Sequence, residues 1–187
     1  LNDLTPFVFS LQPGQRHALY HGPLKSHSEH KLANLFEGER QLPLAPLTAM
    51  PDEISVINVF SLGSAEAVDR VSASIADEPH LVAYSGIAIH EREIGEHATK
   101  ERALHWIDIH HSLGSKGNGI NYLREELGID HVIAFGDGDN DLSMFESASE
   151  CYAPANADPV ILNAADEVIG HHDEDGVARF LRERFEL

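Results

Sequence analysis

This 187-residue chain is poor in cysteine, tryptophan and basic residues. The single Cys151 excludes an internal disulfide framework and fits a reducing cytoplasm. No run approaches the ~20 apolar residues of a membrane-spanning helix. The first residues, Leu1-Asn2-Asp3-Leu4-Thr5-Pro6, lack the basic start of a secretory signal. These absences predict a cytoplasmic protein with no membrane partner. Thirteen Lys and Arg face 31 Asp and Glu, for a formal charge of -18. The only lysines are Lys25, Lys31, Lys100 and Lys116. Nucleic acid is therefore not the expected partner, because phosphate contacts need clustered cations. The acidic surface is read first as that of an ordinary soluble protein, with adaptation to a high-salt cytoplasm the second reading.

The apolar fraction of 42% belongs to a globular chain. Its length allows one core, or one core plus a subdomain. Thirteen histidines are present, but none forms HExxH. The pairs His27/His30, His110/His111 and His171/His172 lack Cys partners at finger spacing, as do His90 and His97. Surface or packing roles are the expectation for all of them.

Pro and Gly punctuate the first fifty residues, so short strands joined by turns are expected there. Phe7-Val8-Phe9 and Arg16 to Tyr20 read as two strands linked by the Pro13-Gly14 turn. Ser28 to Phe36 has helical spacing. Ile54 to Phe60 alternates as a half-buried strand, and Ser64 caps a helix running to about Ala76. Leu81 to Tyr84, Ile87 to His90 and Leu104 to Ile109 complete a strand-rich α+β unit. After Gly114 the pattern changes. Gly117 to Leu127 predicts a helix with Ile120, Leu123 and Leu127 inward and Gly128 at its end. Strand 131–135, a helix near 141–147, strand Cys151 to Ala153, helix Asp158 to Ala164, strand Val168-Ile169 and helix Gly176 to Phe185 follow. That β-α-β-α-β-α order predicts a parallel sheet with helices packed on it.

The densest chemistry lies at His131 to Phe145. An apolar strand run breaks at Gly136, and Asp137, Asp139 and Asp141 follow within five residues. Carboxylates this close raise one another's pKa unless a cation sits among them. The end of a strand in an open α/β sheet is also where ligands bind. A hard-cation site with oxygen ligands, most naturally Mg²⁺, is implied. A calcium loop counted from Asp137 would need Gly and Glu where Leu142 and Ala148 stand, so that reading fails. Lys116 precedes the 117–127 helix and makes a positive corner beside a helix start. Phosphate together with Mg²⁺ needs both features.

Lys116, Gly136-Asp137-Gly138-Asp139-Asn140-Asp141, Tyr152 to Ala157 and Ala164 to Ile169 together resemble the haloacid dehalogenase superfamily. The likeness is greatest to its Cof-type and sucrose-phosphatase-like branch, and it covers residues 114–185 nearly end to end. The resemblance implies an α/β fold: part of a Rossmann-like core with an α+β cap. Residues 12–112 would be the cap and 113–187 the C-terminal half of the core. Residues 1–11 would be a remnant core strand. It implies that Lys116 is catalytic and, with Asn140, binds the phosphate end of the substrate. It implies Mg²⁺ as cofactor, with Asp137 a direct ligand and Asp141 supporting the metal. Asp139 is not an essential motif position.

The family's first motif, a strand followed by DxDGT, is absent from this chain. Asp137-Gly138-Asp139 has the DxD spacing, but Asn140-Asp141 stand where Gly-Thr should follow. An N-terminal truncation is the favoured explanation. The expected function is a Mg²⁺-dependent phosphatase of a small phosphorylated metabolite such as a sugar phosphate. It would act through an aspartyl-phosphate whose nucleophile lies in the missing segment. The alternative is a non-catalytic fragment or degenerate module that binds a partner through its cap. A phospho-acceptor receiver domain has no place for a cap of this size and ranks last. Oligomeric state is not legible.

Overall fold

The computed structural model describes residues 4–12, 14, 16–87 and 104–187. The chain divides into two compact units, one ending at Ser112 and the other beginning at Leu113.

The first unit is built on a six-stranded sheet. Its strands are β1 (Phe7–Gln12), β2 (Arg16–His21), β3 (Leu44–Pro46), β4 (Ser55–Gly63), β5 (Leu81–Ile87) and β6 (His105–His111). The order is β3-β2-β1-β4-β6-β5. Only the β2–β3 pair is parallel. Two helices belong to this unit, α1 (His27–Gly38) and α2 (Ala65–Ile75). Both begin at a serine whose hydroxyl accepts a backbone N–H from the first turn, Ser26 from Glu29 and Ser64 from Ala67. Alternation along the strands sends Phe7, Leu19 and Leu62 to one side, where they pack with Leu32, Ala33 and Phe36 of α1. Burying such a side chain contributes roughly 1.5–3 kcal/mol. The opposite side of β1 and β2 carries Val8, Ala18 and Tyr20 under Leu47, Met50 and Ile54.

One expectation is corrected here. Residues 1–11 were expected to hold a remnant strand of a parallel core, yet β1 lies in the middle of the antiparallel part of this sheet. Phe7 pairs with His21 on one side and Phe60 on the other. The physical reason is the alternation itself. A strand buried on both faces of a parallel sheet reads as a continuous apolar run, whereas Ser10 and Gln12 interrupt this one. The strand expected over Ile87 to His90 falls largely outside the described residues, as do His90 and His97. Its first residue, Ile87, ends β5.

The second unit holds a three-stranded parallel sheet in the order β7 (Ile133–Phe135), β8 (Glu150–Pro154), β9 (Glu167–Ile169). Its helices are α3 (Lys116–Leu127), α4 (Leu142–Ser147), α5 (Pro159–Ala164) and α6 (Gly176–Phe185). The β-α-β-α-β-α order is therefore observed. Ala134, Cys151 and Ala153 face Phe145 and Ile161 of α4 and α5. Phe135 and Tyr152 face Phe180 of α6, with ring centroids 5.7 and 4.2 Å away. Small residues on one face and aromatic rings on the other thus let helices close on both sides.

Of the stripe expected to turn inward on α3, Ile120 is half-buried but the two leucines are not. Leu123 is 53% and Leu127 64% exposed, and Gly117 is the helix's one buried residue. The helix docks on α4 through its N-terminal end, and Arg124 donates to the carbonyls of Ser147 and Asp130 at 3.1 and 2.8 Å. Gly128 closes the helix in the left-handed conformation, φ 61°.

Candidate active site

The acidic stretch leaves the carboxyl end of β7 and turns directly into α4. Gly136 starts the turn because nothing larger passes there. A Cβ on it would lie 2.6 Å from the Asp141 Cβ and 2.9 Å from the Phe145 ring. Residues Asp139–Asp141 form one tight helical turn, closed by the Asp141 N–H donating to the Gly138 carbonyl at 2.8 Å. Asp141 then lies under the loop, 4% exposed. Its Oδ2 accepts the N–H groups of Asp137 and Gly138 at 2.9 and 3.2 Å. Its Oδ1 accepts the Lys116 ammonium.

Lys116 is delivered by the first turn of α3. Ser115 caps that turn by accepting the Asn118 N–H at 3.2 Å. The turn is pressed against α4 at Gly117, where an added Cβ would lie 2.2 Å from the Ser143 carbonyl oxygen. The Gly117 N–H donates to the Ser143 hydroxyl at 3.2 Å. Two helix starts are thus locked together, and the lysine on one meets the carboxylate on the other.

Burial pushes the Asp141 carboxyl up, but the Lys116 hydrogen bond, the two backbone N–H donors and the lysine charge outweigh it. The net result is a carboxyl held below its ordinary value, charged at neutral pH. The other acidic groups differ in kind. Asp137 and Asp139 are exposed, as is Asn140. The Asp137 backbone is fixed on both sides: its N–H donates to Asp141, and its carbonyl accepts the Asp158 N–H at 2.9 Å. The Asp137 carboxylate thus projects from a backbone held at both its N–H and its carbonyl.

Lys116, Asp137 and Asp141 thus meet in one place. Asn140 sits on the same turn, its amide oxygen 3.2 Å from where a Cβ on Gly138 would stand. The donors offered are carboxylate oxygens, with neither sulfur nor imidazole among them. Such a set fits a hard divalent cation of the Mg²⁺ type, which takes one or two carboxylates and keeps several waters. Asp137 is the carboxylate free to reach such an ion. Asp141 already receives three donors and serves the loop and the lysine first.

Sequence reasoning did not single out Ser143, Gly117 as a contact or Asp158. Small residues at 117 and 143, each one or two positions past a named charge, were the available signal. The backbone bond from Asp158 to Asp137 leaves no trace in residue type.

A parallel α/β sheet bearing an acidic turn at the carboxyl end of a strand, with a lysine on a neighbouring helix start, defines an open α/β protein of the kind whose ligands bind beyond the carboxyl ends of the strands. The chain belongs to the family of haloacid dehalogenase-like hydrolases, whose model matches residues 13–181. It is 32% identical over 148 residues to a putative phosphatase, YxeH, of Bacillus subtilis, covering 76% of this chain and 49% of that protein. It is 35% identical over 124 residues to a phosphoglycolate phosphatase of Halorubrum lacusprofundi, covering 65% and 47%. The chain therefore spans about half the length of these curated relatives. Among solved structures, a sugar phosphatase of haloacid dehalogenase subclass IIB matches with a TM-score of 0.65 at 19% identity, over 97% of this chain and 61% of that one. At that identity the likeness establishes the fold.

Proposed function

We propose that these residues are part of a Mg²⁺-dependent phosphomonoester hydrolase acting on a small phosphorylated metabolite such as a sugar phosphate. The observation that carries this reading is the Lys116–Asp141 ion pair beside the outward Asp137 carboxylate. The names of the relatives agree with it in class, since phosphoglycolate and sugar phosphates are both small phosphomonoesters.

In this reading Asp137 holds the ion, with Asp141 supporting it from below. When bound, Mg²⁺ supplies charge stabilisation at a phosphoryl oxygen. Lys116 brings a second positive charge to the same place. Its ammonium is held by Asp141 but half exposed, so it can donate to a phosphoryl oxygen without leaving its partner. Asn140 offers an amide to the phosphate end of the substrate. The first unit takes the part of the cap that selects the substrate.

The attacking carboxylate belongs, in this proposal, to a segment preceding residue 1, and the reaction passes through an aspartyl-phosphate. Two features support a further core segment. Strand β7 ends its sheet, with β8 its one partner among the described residues. The open edge of β7 presents unpaired backbone N–H and C=O groups that a further strand can pair. The exposed Leu123 and Leu127 of α3 likewise present an apolar face of the kind a core covers.

The test is phosphate release from a panel of small phosphomonoesters by an N-terminally extended chain, with and without MgCl₂. Turnover that EDTA abolishes is expected. An extended chain inert toward every member, yet folded, would favour the alternative of a partner-binding module.

A further inference from the structure

The pair His171/His172 has no place in the chemistry above. A third donor stands beside it. Asp173 brings its Oδ1 to 2.9 Å from the His172 Nε2 and its Oδ2 to 3.6 Å from the His171 Nδ1. One ligand atom from each residue lies within 4.8 Å of the others. We propose that His171, His172 and Asp173 form a second cation site, selective for a divalent transition metal of the Zn²⁺ class.

Geometry supports this first. Two zinc bonds of ~2.0–2.1 Å at a tetrahedral angle hold their donor atoms roughly 3.4 Å apart. The imidazole–carboxylate separations, 2.9 Å to Oδ1 and 3.6 Å to Oδ2 of Asp173, lie on either side of that value. The two imidazole rings are stacked, with centroids 4.5 Å apart, so closing the site requires the rings to turn out of that stack toward a common point. The His171 Nδ1 now accepts the Asp173 N–H at 3.2 Å, so its lone pair already points into the turn; a cation would take that N–H's place.

The backbone is also fixed in advance. His172–Glu174 is a single tight helical turn. The His171 carbonyl accepts the N–H groups of Glu174 and Gly176 at 3.0 and 3.1 Å. The His172 N–H donates to the Asn156 amide oxygen at 3.1 Å. Gly176 lies so close to Gly170 that a Cβ on it would stand 1.8 Å from the Gly170 carbonyl oxygen. Ligands on such a turn lose little entropy on binding.

Donor chemistry separates this site from the acidic turn. Two imidazoles and one carboxylate suit Zn²⁺ and its neighbours, whereas an all-oxygen set suits Mg²⁺. His172 and Asp173 are exposed and His171 is half-buried, which leaves room for water at the remaining positions.

The experiment is calorimetric titration of the 187-residue chain with ZnCl₂ and, separately, with MgCl₂. The double variant His171→Ala/His172→Ala and the single variant Asp173→Asn probe the site. His27→Ala/His30→Ala, on the exposed side of α1, controls for adventitious binding by the other histidines. One zinc-binding event is expected, at least tenfold weaker in the double variant, weakened in Asp173→Asn and unchanged in the control. Co²⁺ substitution should give an absorption band that the double variant lacks. Zinc affinity equal in the parent and the double variant would overturn the proposal, as would the absence of any one-site zinc binding.

Discussion

The Lys116 ammonium donates to one oxygen of the buried Asp141 carboxylate, while two backbone N–H groups of the acidic turn occupy the other. This pairing joins the start of α3 to the turn after β7. It also divides the three aspartates by task, with Asp141 holding the loop and Asp137 facing outward.

Replacing Asp141 with Asn keeps the shape and removes the charge. The amide must then point its NH₂ at either the lysine or the two N–H donors, and one contact becomes donor against donor. A loss of about 2–4 kcal/mol in urea unfolding is expected. Lys116→Met should cost only about 1 kcal/mol, because the lysine is half exposed and the carboxylate keeps its two N–H partners. Equal losses for the two variants would contradict this division.

The same carboxyl sets an acid dependence. Its folded pKa lies below the ordinary aspartate value of 3.8, so the unfolded chain binds its proton first. The stabilisation is fully present above about pH 4 and is lost as pH falls through the folded pKa. The stability difference between the parent chain and Asp141→Asn should therefore hold steady from pH 7 to pH 5 and shrink below pH 4. A difference that grows on acidification would refute it.

Two glycines of α3 should respond in opposite directions. A Cβ on Gly117 meets the Ser143 carbonyl at 2.2 Å, so Gly117→Ala should destabilise the second unit by about 1–3 kcal/mol. Nothing lies within 4 Å of a Cβ on Gly119, so Gly119→Ala should stabilise the helix by about 0.5–1 kcal/mol. Thermal unfolding of the two variants decides it.

Asp137→Asn should leave stability within about 0.5 kcal/mol of the parent, since the side chain is exposed and only its backbone is used in the loop. In an N-terminally extended chain the same change should remove the response of phosphate release to MgCl₂. An unchanged magnesium dependence would take Asp137 out of the site.

Much of the second unit was legible because its signals are local. The strand run before Gly136 and the helix-ending Gly128 each act within a few residues. The failures came where partners lie far along the chain. Phe7 to Phe9 has the same pattern whether it pairs with a core strand or with Phe60, so β1 was placed in the wrong sheet. The Leu123/Leu127 stripe marks an apolar face but not what covers it. The short β3 has too few residues to show a period. At the site, residue types identified Lys116 and the aspartates. Which oxygen of Asp141 accepts which donor depends on a 25-residue separation and a one-turn helix, and no spacing rule encodes that.

The most direct test of the central claim compares phosphate release from p-nitrophenyl phosphate, in MgCl₂, by the 187-residue chain and by an N-terminally extended chain, each with and without Lys116→Met. The account predicts turnover by the extended chain, a loss of at least a hundredfold (about 2.7 kcal/mol) on Lys116→Met, and almost none from the 187 residues alone. Turnover by the 187-residue chain at the extended chain's rate, or turnover indifferent to Lys116, would contradict it.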